Sequence, residues 1–126
     1  MRDRAPSPFL ARGRMALVGD AAHPVLPFLA QGAAMAIEDA EVLARALPHA
    51  GDVSQGSVES AFRTYAARRA PRVDRVYNAA RANAFNYHLP APLGWLRDLR
   101  IRQLGPDGMR QRYLWLYDWR SPDEQA

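Results

Sequence analysis

The sequence predicts a mainly α-helical chain with one short strand at about residues 14–19. Three observations lead there. Met15-Ala16-Leu17-Val18 is a short apolar run closed by Gly19, with the length and flanks of a buried strand. Downstream, apolar residues recur at helical spacing in several long stretches separated by proline and glycine. No second stretch reads convincingly as a strand. A strand buried on both faces needs partners for its backbone donors and acceptors, so a lone strand points to a piece of something larger.

Residues 1–12 hold two prolines and four charges and read as an irregular lead-in. After the strand, residues 19–30 contain Gly19, Pro24 and Pro27, which predicts a loop. From about Gly32 to Leu47 the spacing is helical, with Ala36, Ala40, Leu43 and Leu47 on one face. Glu38, Asp39 and Glu41 precede Arg45, the charge order that the helix dipole favours. Pro48 and Gly51 mark the stop, and residues 48–56 form a polar loop.

A second helix is expected near Ser57, as N-cap, with Val58, Phe62 and Tyr65 along one face. Pro71 either kinks one long helix or opens a new one in its first turn. Val73, Val76, Tyr77, Ala80 and Ala84 continue the periodicity until Pro90 and Pro92. Residues 93–104 read as helix, and Gly105-Pro106-Asp107-Gly108 as a turn. The stretch "YLWLYDW" is too apolar for a free tail. Tyr113, Trp115, Tyr117 and Trp119 read as core or interface aromatics ahead of a ligand stack.

A length of 126 residues suits one domain. No apolar run reaches membrane-spanning length, and the N-terminus lacks a signal-peptide core, so a cytoplasmic location is the default expectation. The absence of cysteine excludes disulfides, thiolate metal sites and cysteine nucleophiles. All 17 basic residues are Arg, and the formal charge is +4. Twelve Arg against four acids lie between Arg63 and Arg120, yet no recognised nucleic-acid motif accompanies them. Solvated or partner-facing basic helices are the simpler reading, and Arg68, Arg69 and Arg72 are read as structural pairs around Pro71.

The chemistry concentrates between Gly13 and Leu47. A strand ending in Gly19-Asp20 places a carboxylate where α/β proteins bind ligands. Such a carboxylate accepts hydrogen bonds from ribose or ribityl hydroxyls, and Gly19 removes a side chain that would block close approach. The following "PFLAQGAAMA" opens a helix with small residues, leaving its first N–H groups uncovered for an anion or an electron-rich ring edge. Two plainer readings stand beside these: Asp20 as a turn or cap residue, and the small residues as close packing. His23 could transfer a proton or bond within the framework. Asp20-x-x-His23 has metal-like spacing but no third ligand nearby. His49 and His88 sit near helix ends and read as surface or capping residues.

The segment "GDAAHPVLPFLAQGAAMAIEDA" closely resembles the GD motif of the class A flavin-dependent monooxygenases, the para-hydroxybenzoate hydroxylase group. Its wording is most similar to the salicylate hydroxylase and 3-hydroxybenzoate 6-hydroxylase branch. "RDRAPSPFLARGR", "AFRTYAARRAPRVDRVYNAARAN" and "LWLYDW" extend the resemblance over essentially the whole chain. It implies the C-terminal portion of an α/β, Rossmann-like FAD-binding fold, with residues 1–47 as the GD-motif strand-loop-helix and residues 48–126 as helices packing on it. It also implies aromatic hydroxylation with NAD(P)H and O2 through an FAD C4a-hydroperoxide.

By the same resemblance, Asp20 binds the ribityl chain of FAD, and Gly19 allows that approach. Pro27 lies near the reactive flavin edge, and Gln31, Gly32 and Ala33 present backbone N–H groups to the pyrimidine edge. His23 is a framework residue. Ala30 replaces the commoner glycine, as is usual in this branch, and matters if the backbone there needs positive φ. The chain carries neither the dinucleotide fingerprint Gly-x-Gly-x-x-Gly nor the family's DG motif. The expected partners are therefore FAD, an aromatic substrate and the missing N-terminal portion of the same fold, with a homo-oligomer compatible. A full-length member would exceed this chain about threefold. The alternative is a non-catalytic, Arg-rich helical interaction module complementing a separate FAD-binding chain.

Overall fold

The computed structural model describes residues 5–7, 9–25, 29–48 and 54–121. A two-residue strand, β1 (Ala11–Arg12), pairs antiparallel with β2 (Met15–Ala16) across a turn at Gly13. A single 3-10 turn, Gly19–Ala21, leads towards α1 (Gly32–Ala46). Two long helices follow, α2 (Gln55–Tyr87) and α3 (Leu93–Tyr117).

The expected strand is present but shorter, and its partner comes from the segment read as irregular. Leu17 N–H donates to the Leu10 carbonyl at 2.8 Å, which extends the pairing by one bond. The strand is also not buried: Met15, Leu17 and Val18 are exposed. An apolar run gives no direction for its side chains, and here it is Leu10 that turns into the core.

Helix α1 spans the predicted residues but buries a different face. Met35, Glu38, Asp39 and Val42 point inward, while Ala40 and Leu47 are exposed. Positions 35, 38, 39 and 42 have the i, i+3, i+4, i+7 spacing of a core stripe. Two of the four are carboxylates, so hydrophobicity alone selects the wrong side. The pairing of Glu41 with Arg45, at 2.8 Å, is the exposed i, i+4 contact the charge order suggested.

The N-cap of α2 is Ser54, three residues ahead of the expected one. Ser54 Oγ accepts from Ser57 N–H and Ser57 Oγ from Ser54 N–H, a reciprocal capping box. Pro71 sits inside α2 without ending it. The lost backbone bond is outweighed by burial of Tyr65, Val73, Val76 and Ala80 along the same helix. Helix α3 breaks at one residue, Gly105 (φ +62°), and resumes at Pro106, whose fixed φ suits a first helical position. The sequence placed a four-residue turn there; a single left-handed glycine suffices.

Met35, Val42, Tyr65, Val73, Val76 and Leu116 form the core, drawn from all three helices. Of the C-terminal aromatics, Trp115 and Trp119 pack against this core, while Tyr117 is exposed. His49 lies outside the described residues. No described helix is long and apolar enough to cross a membrane.

Candidate functional site

The loop between β2 and α1 is held by polar contacts from both α1 and α2. Asp39, fully buried on α1, accepts three bonds. Gly19 N–H and His23 Nε2 reach its Oδ2 at 2.8 and 2.6 Å, and Arg69 Nε reaches its Oδ1 at 2.7 Å. Arg69, itself buried on α2, also binds Glu38 at 2.7 Å and the Met35 carbonyl at 3.3 Å. Arg72 adds two bonds to Glu38, and its Nη atoms reach the carbonyls of Trp115 and Leu116 at 3.0 Å. The guanidinium groups of Arg69 and Arg72 lie over the rings of Trp119 and Trp115. Arg69 and Arg72 are thus the structural pairs the sequence suggested, and their partners are Glu38 and Asp39 of α1.

Burial would raise the Asp39 carboxyl. Hydrogen bonds from His23, Gly19 and Arg69 outweigh it and hold the group below the ordinary 3.8. A carboxyl depressed in the folded state stabilises the fold above its unfolded value, and that contribution is lost as pH falls through the folded one. The free energy of unfolding should therefore fall once pH drops below about 3.8. Urea melts at stepped pH test this, and a stability unchanged down to about pH 2 would contradict it. Tyr65 is shifted upward, first by burial and then by the Asp39 charge, so it stays a donor. Its hydroxyl donates to the Leu17 carbonyl at 2.8 Å.

This framework leaves Asp20 exposed on the 3-10 turn. A Cβ built on Gly32 would lie 3.9 Å from Asp20 Oδ1, so the carboxylate stands beside the first residue of α1. That helix start has no side-chain cap from Gln31 and no acid in its first turn. Its first N–H groups have no intrahelical partners. Gln31 is buried, Gly32 half-buried and Ala33 exposed. A negative group in front of a helix N-terminus is favoured by the dipole. Glycine at 32 and alanine at 33 put no bulky side chain of their own between the carboxylate and the helix end.

Gly19 has its own reason to be glycine. Its φ is +56°, and a Cβ there would stand 3.4 Å from the Ala36 Cβ. Ala30 also adopts positive φ, +51°, a conformation that costs a non-glycine residue about 1 kcal/mol. Backbone strain in a residue just ahead of α1 is therefore a real feature of this loop. Pro27 lies outside the described residues. His23 is buried and bonds across to α1, beyond its own loop; among the described residues its Nδ1 has no hydrogen-bond partner. With Nε2 facing a carboxylate, that nitrogen carries the hydrogen. His88 Nδ1 lies 2.7 Å from the Ala84 carbonyl at the end of α2, as a helix-terminal residue.

A groove of about 730 Å³ runs between the end of α2 and α3, and none of the residues from Gly19 to Ala33 lines it. What sequence reasoning missed is the pair Glu38 and Asp39. The detectable signal was their position: both fall on the stripe that continues from Met35 to Val42.

Residues 3–80 match a family described as FAD binding domain. The chain is 44% identical over 109 residues to 3-amino-4-hydroxybenzoate 2-monooxygenase of Streptomyces platensis, an alignment covering 86% of this chain and 26% of that protein. It is 46% identical over 83 residues to 6-hydroxynicotinate 3-monooxygenase of Pseudomonas fluorescens, covering 66% of this chain and 21% of the relative. It is 36% identical over 119 residues to 3-hydroxybenzoate 6-hydroxylase of Klebsiella oxytoca, covering 94% and 29%. The chain spans about a quarter of the length of the curated relatives it matches.

Proposed function

The chain belongs to the FAD binding domain family, and from that premise we propose that it supplies the flavin-facing part of an aromatic hydroxylase. The observation that carries this reading is the exposed Asp20 carboxylate beside the uncapped start of α1. Asp20 accepts hydrogen bonds from the ribityl hydroxyls of FAD, while Gly19 lets the backbone come close. The N–H groups at Gln31, Gly32 and Ala33 meet the pyrimidine edge of the ring system, where the positive end of α1 favours negative charge. Pro27 lies at the reactive edge of the ring; a structure of the FAD complex with Pro27 away from that edge would remove it from the site. FAD, when bound, supplies the redox chemistry that couples NAD(P)H and O2 to ring hydroxylation.

Residues 1–47 carry the flavin contacts, and residues 48–126 pack against them as one structural piece. The relatives named above act on hydroxylated aromatic or heteroaromatic carboxylates, so the substrate is of that class. The rest of the substrate pocket belongs to further chain of the same fold. The reading as an Arg-rich interaction module draws less support, because Arg69 and Arg72 are spent inside the fold.

The test is direct. The purified chain is mixed with FAD and desalted, and flavin absorbance per protein is recorded with circular dichroism. Stoichiometric flavin on a helical protein is the expected result. A well-folded chain that retains none would count against the Asp20 face as a flavin site.

A further inference from the structure

Building on the flavin reading, we propose that Asp39 and Tyr65 are positioning residues of the flavin site, fixing Asp20 relative to the N-terminus of α1. The segment before Asp20 has little packing to hold it. Leu17 and Val18 are 37% and 45% exposed. Beyond the Leu17–Leu10 backbone bond, what ties the segment to the helices is a pair of hydrogen bonds on either side of Val18. Tyr65 donates its hydroxyl to the Leu17 carbonyl, and Asp39 accepts the Gly19 N–H, both at 2.8 Å. Asp39 cannot rotate freely, because Arg69 holds one carboxylate oxygen and His23 shares the other with Gly19.

The connectivity gives the arrangement its purpose. Asp39 and Gly32 are on the same helix, seven residues apart. The route from Asp20 through Gly19 to Asp39 and back along α1 to Gly32 is one short rigid loop. The helix that offers its N–H groups therefore also holds the residue preceding the carboxylate. A ligand touching both meets a spacing set by α1 itself. Neither Asp39 nor Tyr65 needs to touch the ligand, since Asp39 is fully buried and Tyr65 likewise.

A double-mutant cycle separates positioning from plain stabilisation. FAD dissociation constants are measured by flavin fluorescence for the wild-type chain, Asp39→Asn, Asp20→Ala and the double variant, with circular dichroism confirming the fold of each. If Asp39 acts through Asp20, Asp39→Asn weakens binding about tenfold when Asp20 is present and less than about twofold when it is Ala. An equal loss in both backgrounds would overturn the inference. Should Asp39→Asn fail to fold, Tyr65→Phe decides, because it deletes one hydroxyl. It should weaken binding about threefold with Asp20 and leave the Asp20→Ala protein unchanged. Equal weakening in both, or none in either, overturns the inference while the flavin reading stands. No FAD binding by the wild-type chain overturns both.

Discussion

Replacing Arg69 with Met should cost the fold about 3–5 kcal/mol, because it strands the buried Asp39 carboxylate without its cation. Domains of this size are stable by about 5–15 kcal/mol, so such a loss moves the chain to the edge of unfolding. Arg69 is 1% exposed and reaches Asp39, Glu38 and the Met35 carbonyl at once. Methionine fills a similar volume, so the loss is electrostatic more than a cavity. Glu38 keeps Arg72, whereas Asp39 loses its guanidinium partner and keeps His23 and the Gly19 N–H. The same change at Arg45, whose pair with Glu41 is on the surface, should cost about 0.5 kcal/mol or less. Chemical denaturation of the two variants side by side measures the difference. Equal effects would mean that the buried network does not hold α1 to α2.

The second large effect concerns affinity. Asp20→Ala should weaken FAD binding about tenfold to a hundredfold, since hydrogen bonds to a charged acceptor contribute about 1.5–3 kcal/mol. Stability should change far less, because the Asp20 carboxylate is exposed and its folding role is confined to the charge effect at the α1 N-terminus. That contrast separates the flavin reading from the plainer one, in which Asp20 is a turn residue facing a helix dipole. Unaltered FAD affinity with reduced stability would favour the plainer reading. Equilibrium titration and a thermal melt on the same preparation give both numbers.

The sequence marked the helices well where punctuation was strong. Gly32 opens α1, proline follows its end, and Gly105-Pro106 breaks α3 where glycine and proline stand together. In the loop, the Asp20 carboxylate stands beside Gly32, the first residue of α1. The orientation of α1 was not legible, because reading a core from apolar residues discards buried carboxylates. Glu38 and Asp39 are interior because Arg69 and Arg72 arrive from thirty or more residues away. The start of α2 was misplaced for a local reason. Two serines three residues apart both look like caps, and only the backbone decides which one closes the box. The direction of the β2 side chains was likewise beyond a four-residue apolar run.

The stacking of arginine on tryptophan has an optical consequence. Trp115 lies beneath the guanidinium groups of Arg72 and Arg75, the latter 4.0 Å from the ring centroid, and Trp119 beneath that of Arg69. Trp95, on the first half of α3, is 71% exposed. The emission of this chain therefore has two sources. One indole is open to collisional quenchers such as iodide, and two are capped by arginines, of which Arg69 and Arg72 also bind the core carboxylates. Release of the C-terminal end of α3 from α2 would unmask the capped pair and leave Trp95 unchanged. Tryptophan fluorescence thus reports the docking of that end separately from the helix content of the chain.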